Sequence, residues 1–149
     1  MTFKNEKSER IQEGLILHLI LSKLNSRDEL NQVMNKIRVE ESLSTSEINN
    51  FHKKVSNLFD SIPEFNSWFS SEWEVVNERP IITNGQVYVP DKILLSGSKT
   101  IIIDYKREKH DDKHKVQIKN YGDLLSKMGY QVQGLYLVYV NDVEVVKVI

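Results

Sequence analysis

Two aspartates sit where apolar residues would be expected. Asp91 interrupts the apolar stretch 87–95, and Asp104 closes the run Ile101-Ile102-Ile103, with Lys106 two residues further on. The β-branched composition predicts neighbouring antiparallel strands joined at Ser96-Gly97-Ser98, with the two aspartates at comparable distances from that turn. Adjacent carboxylates repel, so this placement calls for a cation between them. Oxygen ligands favour a hard divalent ion, Mg²⁺ with Mn²⁺ able to substitute. Period-two alternation puts Asp104 and Lys106 on one strand face. An ammonium there can orient an attacking water or stabilise a developing oxyanion. Read by itself, Asp91 after Pro90 could equally open a turn.

These residues need elements to hold them. Over residues 8–24, Ile11, Leu15 and Leu21 share one helical face with Gly14 and His18, which predicts an inward His18. A histidine on such a face can be a hydrogen-bonded core residue or a ligand. Residues 27–41 read as a peripheral helix carrying Leu30, Val33, Met34 and Ile37, with Asp28 and Glu29 in its first turn. Ser44 and Glu47 form a capping-box pattern, and Ile48, Phe51, Val55, Leu58, Phe59 and Ile62 carry a helical stripe to Pro63. Strands are expected over 73–76, 81–83, 87–89, 93–95 and 100–105 as one meander, with Asn84-Gly85 as a hairpin turn. Residues 113–128 return to helix, with Gln117, Tyr121, Leu124 and Met128 on one face and Gly129 at its end. Two last strands, 130–140 and 143–149, flank Asn141-Asp142. The predicted fold is α/β: N-terminal helices packed on a mixed sheet made of a three-stranded antiparallel meander, a helix and further strands. A single domain, 1–149, is expected, with a helical part over 1–62 and a sheet and catalytic core over 63–149.

Composition sets the outer bounds. In 149 residues, 40% hydrophobic and 28% charged, the chain carries enough apolar surface for one folded core. Twenty basic against 21 acidic residues give a net charge of −1, so no bulk field draws it to nucleic acid or an anionic membrane, and any polyanion site must be local. Residues 106–119 supply one candidate: six basic residues (Lys106, Arg107, Lys109, Lys113, Lys115, Lys119) against three acids, a local charge of +3. Zero cysteines exclude disulfides, thiolate metal sites and a cysteine-ligated iron–sulfur cluster. The apolar stretch 15–21, broken by His18, is too short to span a bilayer, and a cytoplasmic protein is expected. His52, His110 and His114 read as residues of solvated faces.

Pro90-Asp91 followed after twelve intervening residues by Asp104-Tyr105-Lys106, at the end of an apolar strand, resembles the PD-(D/E)XK nuclease superfamily. Gln117 with Tyr121 looks like the Q-x-x-x-Y motif of its RecB-type exonuclease branch. Gly14-Leu15-Ile16-Leu17-His18 is similar to that branch's upstream helix with its metal-binding histidine, and Glu78-Arg79-Pro80 to its E-x-P segment. Together these motifs cover roughly residues 10 to 140. The chain departs from the branch in having Pro90 before the first aspartate and Lys92 after it, where Gly and Arg are frequent. The resemblance implies a restriction-endonuclease-like core and Mg²⁺-dependent hydrolysis of DNA. It further implies that His18, Asp91, Asp104 and the Tyr105 carbonyl hold the metal, that Lys106 positions the water, and that Gln117, Tyr121 and Glu78 support the site. No G-x-x-x-x-G-K-[ST] loop occurs, so a helicase motor of the kind joined to this branch would be a separate domain or subunit. The alternatives are a non-catalytic nucleic-acid-binding or assembly module with the same fold, and a structure-selective endonuclease of the same superfamily.

Overall fold

The computed structural model describes residues 6–149, with side chains from Glu13 onward; Ile11 lies outside the described side chains. The helical part consists of α1 (Glu6–Lys23), a single 3-10 turn (Arg27–Glu29), α2 (Leu30–Glu40), α3 (Thr45–Ser61) and α4 (Pro63–Trp68). The capping box of α3 is formed in both directions: the Glu47 N–H donates to Ser44 Oγ, and the Ser44 N–H to Glu47 Oε1, each at 3.1 Å. Its stripe from Ile48 to Ile62 is buried as expected. The helical part does not stop at residue 62. Pro63 takes the first position of α4, where its missing N–H costs nothing, and Phe65 and Trp68 complete the apolar layer.

The expected face of α1 is corrected. Ile16, Leu17, Ile20, Leu21 and Leu24 are buried, whereas Leu15 is 53% exposed. Apart from His18, residues 15–21 are apolar all round, so their spacing does not single out one face. His18 consequently lies half-buried at the border of the packed stripe instead of inside it.

The strands are β1 (Glu74–Asn77), β2 (Ile81–Thr83), β3 (Gln86–Tyr88), β4 (Lys92–Ser96), β5 (Lys99–Lys106), β6 (Gln131–Tyr139) and β7 (Glu144–Lys147), with α5 (Asp112–Lys127) between β5 and β6. Five of them form one sheet in the order β1-β4-β5-β6-β7. β1, β4 and β5 run antiparallel, β5 and β6 parallel, and β7 returns antiparallel. The single meander is therefore also corrected: β2 and β3 leave the sheet as a separate two-stranded ribbon. Pro80 and Pro90, which lack the N–H a ladder needs, stand at its two ends, and Glu78 turns the chain out of β1 with φ of 49°. Asn84 and Gly85, with φ of 50° and 74°, make the hairpin turn as expected.

Each sheet face has its own core. Ile101, Ile103 and Tyr105 pack against α1 to α4, while Ile102 packs with Ile118, Tyr121 and Leu125 of α5. The buried face of α5 is Ile118, Tyr121, Gly122 and Leu125, so the expected stripe through Gln117, Leu124 and Met128 is rotated; Gln117 and Met128 are exposed. Gly122 permits the close approach, because a Cβ there would stand 3.0 Å from Leu135 Cδ1. Alternation along β5 sends Asp104 and Lys106 to the α5 face and Tyr105 to the other. All three lie at the carboxyl end of a parallel pair, where α/β sheets open to ligands.

Candidate metal centre

Asp91 immediately precedes β4, whose first residue Lys92 pairs with Ile103, so Asp91 falls opposite Asp104. The two interlock through the backbone. The Asp91 N–H donates to Asp104 Oδ1 at 3.2 Å, and the Tyr105 N–H donates to Asp91 Oδ2 at 2.8 Å. His18 Nε2 lies 3.4 Å from Asp91 Oδ1 and 3.1 Å from Glu78 Oε1. Glu78 is brought there by its left-handed backbone, and its N–H bonds the Asp91 carbonyl at 3.0 Å. On the α5 side, Lys106 Nζ is 2.9 Å from Asp104 Oδ2 and donates to Gln117 Oε1 at 2.6 Å, and Tyr121 lines the same cleft as Gln117. These side chains, Glu78 excepted, line a cleft of about 260 Å³ together with Gly14, Leu15, Val89 and Arg107.

The electrostatics of the pair are unfavourable without a further positive charge. Burial, then the charge of Asp104 and the hydrogen bond with it, push the Asp91 carboxyl up to about 8, and the Tyr105 N–H and the Lys106 ammonium offset this only in part. The Tyr121 phenol is pushed up to about 12 by burial and then by Asp104 and Asp91, so it remains a donor at neutral pH. Burial raises the Tyr105 phenol well above its usual range; its hydroxyl has no hydrogen-bond partner among the described residues, and its ring lies edge-on to His18 at 6.2 Å.

His18, Glu78 and Asp91 each offer one ligand atom, all within 4.8 Å of one another, a nitrogen and two carboxylate oxygens that suit a divalent cation. The expected ligand set differs in one respect: Glu78, read from the sequence as a supporting residue, belongs to this tight group, while Asp104 falls outside it. The reason is that one Asp104 oxygen accepts the Asp91 N–H and the other faces Lys106. The Tyr105 N–H points to Asp91, and in a strand the carbonyl of the same residue shares that edge.

Of the remaining histidines, His52 and His114 are half-buried and so less solvated than expected, whereas His110 is exposed as expected. His114 is half-buried with Nδ1 3.0 Å from the Tyr139 hydroxyl. His110 stacks on the Tyr139 ring at 3.9 Å and pairs with Glu144 at 2.9 Å. His52 lies within reach of Asn31 and Ser56.

Lys92 was not singled out by sequence reasoning, yet it ties the centre together. It is fully buried, and its ammonium donates to the Leu24 carbonyl at 2.7 Å and to Asn77 Oδ1 at 2.6 Å while lying 4.9 Å from the Phe69 ring. Leu24 directly follows the helix that carries His18, Asn77 precedes Glu78, and Lys92 itself follows Asp91. One ammonium thus joins the three segments that present the ligand group. The available signal was a lysine inside an otherwise apolar strand. Lys92→Met should cost on the order of 2 kcal/mol in urea unfolding, because it leaves the buried Leu24 carbonyl and the half-buried Asn77 amide oxygen without their donor. An unchanged midpoint would show that water or rearranged neighbours replace the ammonium.

Comparison with protein-family models finds no match for this chain, and comparison with curated proteins finds none either.

Proposed function

We propose that the chain is a metal-dependent deoxyribonuclease with a restriction-endonuclease-like core of the PD-(D/E)XK type, its motifs following the RecB-type exonuclease branch. The observation that carries this reading is the interlocked pair Asp91 and Asp104, with Lys106 held against one aspartate and His18 and Glu78 against the other. His18, Glu78 and Asp91, with Asp104 and the Tyr105 carbonyl beside them, would hold Mg²⁺ or Mn²⁺. Such an ion supplies positive charge to a phosphodiester and lowers the pKa of water.

The protein's own groups do the rest. Asp104 and Gln117 each take a hydrogen of the Lys106 ammonium, which fixes its direction and leaves a third to orient the attacking water. Tyr121, still protonated, lines the cleft beside Gln117 from the buried side of α5. DNA is the partner in this reading, and a net charge of −1 favours delivery of the strand by a helicase domain or subunit in the cytoplasm. The test is incubation with linear and circular, single-stranded and duplex DNA under Mg²⁺, Mn²⁺ or EDTA. Cutting that EDTA abolishes is the expected result; intact DNA on all four substrates with either metal overturns the reading.

A further inference from the structure

Arg107 follows Lys106 into the same cleft, and its aliphatic stem lies across α1 at Gly14. A Cβ built on Gly14 would stand 2.7 Å from Arg107 Cδ and 3.0 Å from its Cβ, closer than unbonded carbons approach. The stem has little room to step aside, because its Cβ is fixed to a backbone whose carbonyl accepts from Asn141 Nδ2 at 3.0 Å. Gly14 is buried inside a helix, where glycine costs about 1 kcal/mol relative to alanine. The slot it leaves is filled by arginine. Lys106 is engaged by Asp104 and Gln117, whereas the Arg107 guanidinium has neither an ion-pair nor a hydrogen-bond partner among the described residues. A guanidinium held at a cleft rim without a protein partner is suited to an oxyanion arriving from solution, and its planar fork matches phosphate.

We infer that Arg107, seated in the Gly14 slot, binds a phosphate of the substrate strand next to the one cleaved, and that Gly14 stands in α1 to make that seat. The identity of the substrate rests on the nuclease reading; the seat itself rests on the packing of Arg107 against Gly14.

The test is a fluorescence-anisotropy titration of a short single-stranded oligonucleotide at 50 mM salt and above, about the range where such contacts are read. An Asp104→Asn background keeps the strand whole. Arg107→Gln and Gly14→Ala should each weaken binding about tenfold, the size of one charge-assisted bond. Each should also lower the salt slope by about 0.7, one released counterion on a single strand. The double variant should bind no more weakly than the worse single one, since both remove the same contact. Arg107→Gln should melt with its parent, and calorimetric Mn²⁺ affinity should be unchanged in both; these readouts separate a phosphate seat from a structural defect. Unaltered affinity and slope in Arg107→Gln, additive losses, or no measurable binding in the parent would overturn the inference. DNA cutting with binding indifferent to Arg107 removes the seat alone. Arg107-dependent binding by a wild type that cuts nothing removes the nuclease reading and leaves the seat.

Discussion

Lys106→Ala and Asp104→Ala should each lower DNA hydrolysis at least about 10³-fold, the combined scale of losing an oriented charge and a proton-handling group at a reacting centre. Both variants should keep the fold, because neither side chain belongs to an apolar core: among the described residues Lys106 pairs with Asp104 and Gln117, and Asp104 with Lys106 and Asp91. Their physical consequences differ. Removing Lys106 leaves Asp104, 4% exposed, without its cation, so this variant should also lose stability. Removing Asp104 relieves the charge that crowds Asp91, which partly offsets the loss of the acceptor for the Asp91 N–H. Initial rates on labelled linear DNA with Mg²⁺, beside far-ultraviolet circular dichroism melts, check both statements. A folded Lys106→Ala protein that cuts as fast as wild type would remove Lys106 from the site.

The parts of this centre that sequence could show are those with local causes. Asn84-Gly85 can hardly be anything but a hairpin turn, and Ser44 with Glu47 satisfies orphan N–H groups in any context; both stand as read. Asp91 and Asp104 were legible as neighbours because the Ser96-Gly97-Ser98 reversal sets their register by counting. What stayed hidden depends on long-range packing. In α1, apolar on nearly every side, only the helices that cover it decide that Ile16 and Leu17 are buried and Leu15 is not. Glu78 was read as a supporting residue only through the resemblance of Glu78-Arg79-Pro80 to an E-x-P segment. Its place beside His18 and Asp91 follows from a left-handed backbone that few non-glycine residues adopt, and no periodicity announces it. The departure of the β2 and β3 ribbon was marked by Pro80 and Pro90, which a strand count by composition passes over.

Without metal, the protein should be least stable between about pH 7 and 8, where most proteins are near their best. Two adjacent residues cause this. Asp91 is held at about 8 in the fold against 3.8 as a free side chain, chiefly by burial and then by Asp104, so between those values the folded state binds a proton that the unfolded chain has lost. Stability from this group falls as pH rises from about 4 to 8. Lys92 is held at about 7 against 10.5, chiefly by burial, so above 7 the unfolded chain carries a proton that the folded state lacks. Stability from this group rises as pH climbs from about 7 toward 10.5. Each limb can reach a slope of about 1.4 kcal/mol per pH unit. Urea unfolding in EDTA from pH 5 to 10 measures both, and differences between variants cancel the background of other titrating groups. Asp91→Asn should flatten the acidic limb, and Lys92→Met the alkaline one. Added Mn²⁺ favours the ionised Asp91, so its stabilising effect should grow from pH 6 to 8 and its binding should release close to one proton below pH 8. A wild-type curve that runs parallel to Asp91→Asn across the acidic range would show that the carboxyl is already ionised in the fold, and the repulsion that calls for a cation between Asp91 and Asp104 would then be met by the protein's own charges.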